Sequence, residues 1–163
     1  MNLPNNMLDY FNSYQLGLYF GRVSLGLYLF TLLPGICRRF KLKHQFVSLL
    51  TLYRRQVGIA MYIFAVLHAL LVVSFPITLT PPKVFGILAF LILTPLFITS
   101  NIYAVKKLKE TWKKIHQLTY LALGLIFLHT ALVRWSIFSV ATLITLILLV
   151  SSSLLERSRS KTP

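Results

Sequence analysis

Uncharged apolar runs of nearly constant length recur along this chain, separated by short polar segments. Four of them, 56–75, 84–105, 115–133 and 135–155, contain no Asp, Glu, Lys or Arg. A helix needs about 20 such residues to cross a hydrocarbon core of about 30 Å, so each run reads as a membrane span. An earlier stretch, 10–37, is long enough but carries Arg22, and a first span is expected from about Leu16 to Cys37. The pattern predicts an all-α fold, a polytopic transmembrane bundle of about five helices. The expected spans are about 16–37, 56–75, 84–105, 115–133 and 135–155, in one domain over residues 1–163.

Composition agrees: 56% of the 163 residues are hydrophobic and 12% charged, against about 25% charged in a typical soluble domain. Lipid accepts apolar side chains on the outside of a bundle, so this excess needs no outsized core. The net charge of +14 would suggest a nucleic-acid surface on a soluble protein. Here the distribution argues otherwise, and no nucleic-acid partner is expected. Of 17 basic residues, 14 fall in segments 38–55 and 106–114 and in the tail 156–163. These are alternate connections, as the positive-inside rule demands of one membrane side. The expected location is the inner (plasma) membrane, multi-pass, with the N-terminus outside and the C-terminus cytoplasmic. Trp112 and Tyr103 beside the second basic segment read as interfacial anchors. The N-terminus has no Lys or Arg before Arg22, so no signal peptide is expected. The chain runs eight residues past its last span, so no further soluble domain is expected. No internal repeat stands out. The single cysteine, Cys37, excludes an internal disulfide, a cysteine-ligated iron–sulfur cluster and covalent haem attachment within this chain.

The candidate chemistry lies in four histidines, His44, His68, His116 and His129. His44 reads as a solvated loop residue. His68 and His129 each sit inside an uncharged span, where a polar ring is costly and turns to the bundle interior. For one such histidine, a hydrogen bond to a neighbouring helix would suffice. Two at one depth suggest more. His68 lies 13 residues beyond Arg55 and His129 lies 13 beyond His116, on spans that run the same way. Each is then roughly 20 Å from the inner face. Two imidazoles at one height on parallel spans can hold a b-type haem, and without nearby carboxylates a haem is favoured over zinc.

His116 lies at the inner boundary, and the 13 residues to His129 turn about 220° on an ideal helix. Arg54 stands where an inner partner for His68 would be, 14 residues before it. A second bis-histidine haem is therefore not supported by spacing. An inner site for haem, flavin or quinone built on His116 with Arg54 or Arg55 stays open, beside the plainer reading of an interfacial histidine. Arg22 is either a side chain snorkelling to the outer interface or a partner for a haem propionate.

Three segments and a dipeptide carry a family resemblance: GRVSLGLYLFTLLP from Gly21, RRQVGIAMYIFAVLH from Arg54, FITSNIYAVKKLKETWKKIHQLTY from Phe97, and the Leu-His ending at His129. They resemble the ferric reductase-like transmembrane domain, and within it the MsrQ branch of haem-binding membrane subunits serving periplasmic methionine sulfoxide reductases. The resemblance covers about Gly21 to Arg134. More distant relatives carry a histidine where this chain has Arg54. It implies a haem b electron carrier, with His68, His129 and His116 as ligand candidates. Electrons would come from quinol or a cytoplasmic flavin reductase and pass to a periplasmic molybdopterin-dependent reductase, with flavin mononucleotide (FMN) as an associated cofactor. The chain has no G-x-G-x-x-G for a nicotinamide nucleotide, so a partner or quinol must supply electrons. The alternatives are a ferric reductase-type component with another acceptor, and a haem-free membrane scaffold.

Overall fold

The computed structural model describes residues 5–42, 45–73 and 78–159. The described residues form helices and no strands: α1 (Asn5–Arg39), α2 (Gln45–Val72), α3 (Pro81–Ile98), α4 (Ile102–Leu108), α5 (Glu110–Val133) and α6 (Ile137–Arg159). All but α4 are long and apolar enough to span a bilayer. The protein is an all-α multi-pass membrane bundle. His44 lies outside the described residues.

Helix ends follow local chemistry. α3 opens behind Thr80 with Pro81 and Pro82 in its first turn, where an N–H is not needed. It ends at Ile98, before the expected limit of 105, and a Thr-Ser-Asn sequence explains the break. Thr99 Oγ1 donates to the carbonyl of Pro95 at 2.7 Å, and Ser100 Oγ to that of Leu96 at 2.6 Å. Hydroxyls thus occupy carbonyls at the end of the helix. Asn101 then caps α4, accepting from the Ala104 N–H at 2.8 Å. In the other direction, α2 begins at Gln45 rather than 56, so Arg54 and Arg55 are helical and not in a loop. The segment before them is too polar to register as a span, yet nothing in it breaks a helix.

The bundle is two antiparallel pairs plus one covering helix. α1 packs along α2, with register running from Gly17 beside His68 to Ser24 beside Met61, where Ser24 Oγ donates to the Met61 carbonyl at 3.0 Å. α3 packs along α5, from Pro82 beside His129 to Thr99 beside His116. α6 crosses α1 and α5, and α2 meets α3 more lightly. That contact is aromatic: Tyr62 stacks on Phe97 at 4.3 Å and Phe90 at 5.3 Å, and its hydroxyl meets Thr94 Oγ1 at 2.9 Å. α2 and α5 do not pack on each other. Between helices in lipid there is little hydrophobic driving force, so close approach and hydrogen bonds carry association. Tyr28, 2% exposed, ties α1 to α5 by donating to the Thr119 carbonyl at 2.6 Å. At the end where α1, α5 and α6 meet, Arg39 pairs with Glu156 at 3.1 Å and donates to Tyr120 Oη at 3.0 Å.

Candidate functional site

The two deep histidines face one another across the space between α2 and α5. Their ring centroids are 6.4 Å apart, with planes inclined by 72°. Each ring is held by its own antiparallel partner. His68 Nδ1 lies 2.8 Å from the Gly17 carbonyl, and His129 Nδ1 lies 2.7 Å from the Pro82 carbonyl. A carbonyl only accepts, so both Nδ1 atoms carry the proton and both Nε2 atoms keep their lone pair. Neither Nε2 has a hydrogen-bond partner among the described residues.

Glycine makes this arrangement possible, in the same way twice. A helical carbonyl points along the axis toward residue i+4, whose side chain would cover it. One turn after Gly17 stands Gly21, and one turn after Pro82 stands Gly86. A Cβ on Gly21 would lie 2.8 Å from His68 Nδ1, and a Cβ on Gly86 would lie 2.9 Å from His129 Nδ1. Real Cβ atoms do not come that close, so each imidazole occupies the volume a side chain would fill. The sequence shows no repeat, but these two seats are built alike.

The arrangement can be tested against an iron between the rings. With metal–imidazole bonds of about 2.0 Å and about 1.1 Å from ring atom to centroid, two imidazoles that held one iron would have their centroids a little over 6 Å apart. The observed 6.4 Å fits. So does the donor set: metal-ligating histidines keep their other N–H on a carbonyl or carboxylate, which fixes the tautomer. No group of three or more His, Cys, Asp or Glu side chains gathers among the described residues, and a two-imidazole site does not need one.

The other candidates are dispersed. His116 and His129 both reach α3, and about 220° of helical turn separates them, so they do so from different flanks of α5. His116 Nε2 lies 3.2 Å from Thr99 Oγ1, and its ring stacks on Trp112 at 4.0 Å. Trp112 in turn donates to the Thr99 carbonyl at 3.0 Å. His116 is thus bonded into the α3–α4 corner and not brought to the deep pair. Arg54 and Arg55 are both exposed, and Arg54 is within electrostatic reach of His116 and Tyr120. Arg22 follows Gly21 directly, yet its exposed guanidinium lies over the rings of Tyr19 at 5.4 Å and Phe138 at 5.7 Å.

Residues 20–128 match the family model described as the ferric reductase like transmembrane component. The chain belongs to this family. It is 30% identical to the protein-methionine-sulfoxide reductase heme-binding subunit MsrQ of Rhizobium meliloti (strain 1021), across 49% of this chain and 42% of that protein. It is 34% identical to the magnetosome protein MamZ of Magnetospirillum gryphiswaldense, across 51% of this chain and 15% of that protein. The chain therefore spans less than half the length of either relative. No solved structure matches it.

Sequence reasoning missed Gly17, Gly21, Pro82 and Gly86. A signal existed for the first pair, since Gly17 and Gly21 have the G-x-x-x-G spacing of close helix approach.

Proposed function

We propose that this protein is a haem b electron-transfer subunit of the plasma membrane, with His68 and His129 as the two axial ligands of one haem in the outer half of the bundle. The observation that carries the reading is the 6.4 Å separation of the two rings, with both Nδ1 protons on backbone carbonyls. When bound, such a haem supplies one-electron transfer with no open coordination site. The chain's own part is orientation: Gly17 and Pro82 hold the tautomers, and Gly21 and Gly86 admit the rings. The contacts of Tyr62 with Phe90 and Phe97 hold α2 against α3.

The heme-binding subunit among its relatives supports a place between a donor, quinol or a cytoplasmic flavin reductase, and a periplasmic reductase that repairs methionine sulfoxide. The match to a magnetosome protein keeps a second reading in view, a ferric reductase-type component with another acceptor. FMN and a second, inner haem remain parts of the proposal that rest on resemblance. The contacts of His116 with Thr99 and Trp112 support a packing role for it.

A visible spectrum of the purified chain tests the core of this. A Soret band with a sharp reduced α-band is expected, and a colourless, folded protein would leave only the scaffold reading. Orientation is tested separately. Reporters fused after residue 163 should read cytoplasmic and after Lys83 external; the reverse would overturn the outer placement of the histidine pair. Co-purification of a periplasmic molybdopterin enzyme would support the methionine sulfoxide reading over the second one.

A further inference from the structure

At the opposite end of the α1–α2 pair from His68, the two helices part around a cavity of about 680 Å³. Pro34 lies inside α1 there, and a Cβ on the adjacent Gly35 would meet nothing within 4 Å, so the helix presents no side chain to close the gap. Arg38, Lys41 and Arg54 line the cavity, together with Gln45, Ser48 and Thr51. Three cations and three hydrogen-bonding side chains thus surround one space.

Among the described residues, no carboxylate of the chain balances those cations. It has three acidic residues, Asp9, Glu110 and Glu156. Glu156 pairs with Arg39, Glu110 pairs with Lys113, and Asp9 lies toward the far end of α1. Among the described residues no ion pair involves Arg38, Lys41 or Arg54. Arg38 and Arg54 also repel each other. Like charges gathered at an interface without a counter-charge are unfavourable unless an anion joins them.

We propose that this cavity binds the phosphate headgroup of an acidic phospholipid, with Arg38 and Arg54 on the phosphate and Ser48 and Gln45 on its ester and glycerol oxygens, while the Thr51 hydroxyl, which donates to the Val47 carbonyl at 2.8 Å, can accept from a glycerol hydroxyl. The shared chemistry is a phosphate ester. The lipid source is favoured because the site lies at the charged end of spanning helices, Leu42 at its edge is exposed, and Phe46, Leu49 and Leu52 are exposed on the adjoining faces of the same turns of α2, where acyl chains would lie. Basic pockets between spanning helices are sites of this kind. The inference is independent of the haem.

The test uses the full chain in a neutral detergent, titrated with phosphatidylglycerol and followed by native mass spectrometry. Phosphatidylcholine serves as the zwitterionic lipid, and FMN and inorganic phosphate as soluble phosphates. One saturable phosphatidylglycerol is expected, with phosphatidylcholine and both soluble phosphates much weaker. The R38Q/R54Q variant should bind about thirty-fold more weakly, the order expected for two basic groups. The K106Q/K107Q variant on α4 removes equal charge elsewhere and should bind as the parent does. Ser48→Trp fills the cavity without removing charge and should also abolish the saturable site. Equal weakening in both charge variants, or no effect of Ser48→Trp, would reduce the attraction to diffuse surface charge and overturn the site. Preferential binding of FMN or phosphate would overturn the lipid source.

Discussion

The two ends of the bundle use intramembrane polar groups in different ways. Toward the Gly17 end, His68 and His129 have their Nδ1 atoms satisfied by the carbonyls of Gly17 and Pro82, and their Nε2 atoms have no partner among the described residues. Toward the Arg54 end, the Nε2 atom of His116 is already engaged by Thr99, and its ring lies against Trp112. Each of the three rings has one nitrogen anchored, so anchoring alone does not separate them. The second imidazole does: His68 and His129 lie 6.4 Å apart, so their two unpartnered Nε2 atoms can serve one centre. His116 has Trp112 and Thr99 against it and no second histidine beside it among the described residues.

The sharpest way to break this contrast is to remove the imidazoles one at a time. His68→Ala and His129→Ala should each abolish the low-spin haem signal, whereas His116→Ala should retain it. Haem per polypeptide and the reduced spectrum of membrane-inserted protein are the measurements. Full low-spin haem in either of the first two variants would separate the pair and return His116 to consideration as a ligand.

A smaller effect is expected from the glycine seats. Gly21→Ala and Gly86→Ala place a Cβ 2.8 and 2.9 Å from the respective Nδ1 atoms, so each ring must shift from its carbonyl. Loss of such an orienting bond weakens metal affinity by roughly 10–100-fold. Haem retention on dilution should fall by that order, with an altered reduction potential. Gly58→Ala is the control, because nothing lies within 4 Å of its Cβ position, and it should be silent in the spectrum. If all three variants behave alike, the seats do not matter.

These glycines also mark where sequence reading stops. The five spans were legible because lipid imposes a length and a polarity that a single chain displays. The depth match of His68 and His129 was legible because helical rise is constant. The seats were not, since a glycine in an apolar run says nothing until the helix it faces is known, and α1–α2 and α3–α5 pairing is a tertiary fact. The end of α3 at Ile98 was missed for a different reason. The apolar run continues to Val105, and the hydroxyl and amide caps of Thr99, Ser100 and Asn101 outweigh it locally. The early start of α2, which moves Arg54 onto a helix facing the α1 cavity, lay below any hydropathy threshold.

Stability sharpens the comparison further. Tyr28→Phe removes the hydroxyl that bridges α1 to the Thr119 carbonyl. Interhelical hydrogen bonds in membranes are worth about 0.6 kcal/mol on average and up to about 1.7. A loss in that range is expected in an unfolding titration, with the haem spectrum unchanged, because this bond lies away from the histidine seats. A changed spectrum would mean that the α1–α5 link helps to set the distance between the rings.

The smallest effect is expected from Arg22. A charge this far along a spanning helix invites a functional reading, and a partner for a haem propionate was one. Its surroundings support another. The guanidinium lies between the aromatic rings of Tyr19 on its own helix and Phe138 at the start of α6. It is exposed, and it leaves α1 about 100° around from Gly21, whose face receives His68. Cation–π contacts at exposed sites contribute about 0.5–1 kcal/mol, and a long side chain can carry its charge outward along apolar surface. Arg22→Leu should therefore cost no more than that in stability. It should leave haem content intact and move the reduction potential by less than about 60 mV, the equivalent of tenfold in a one-electron equilibrium. A larger shift at unchanged haem content would show that the guanidinium acts on the haem's charge and would restore the propionate assignment. Arg22→Lys separates the two further. It keeps the charge but not the planar stacking on Tyr19 and Phe138, so a potential that follows charge alone should stay at the parent value in this variant.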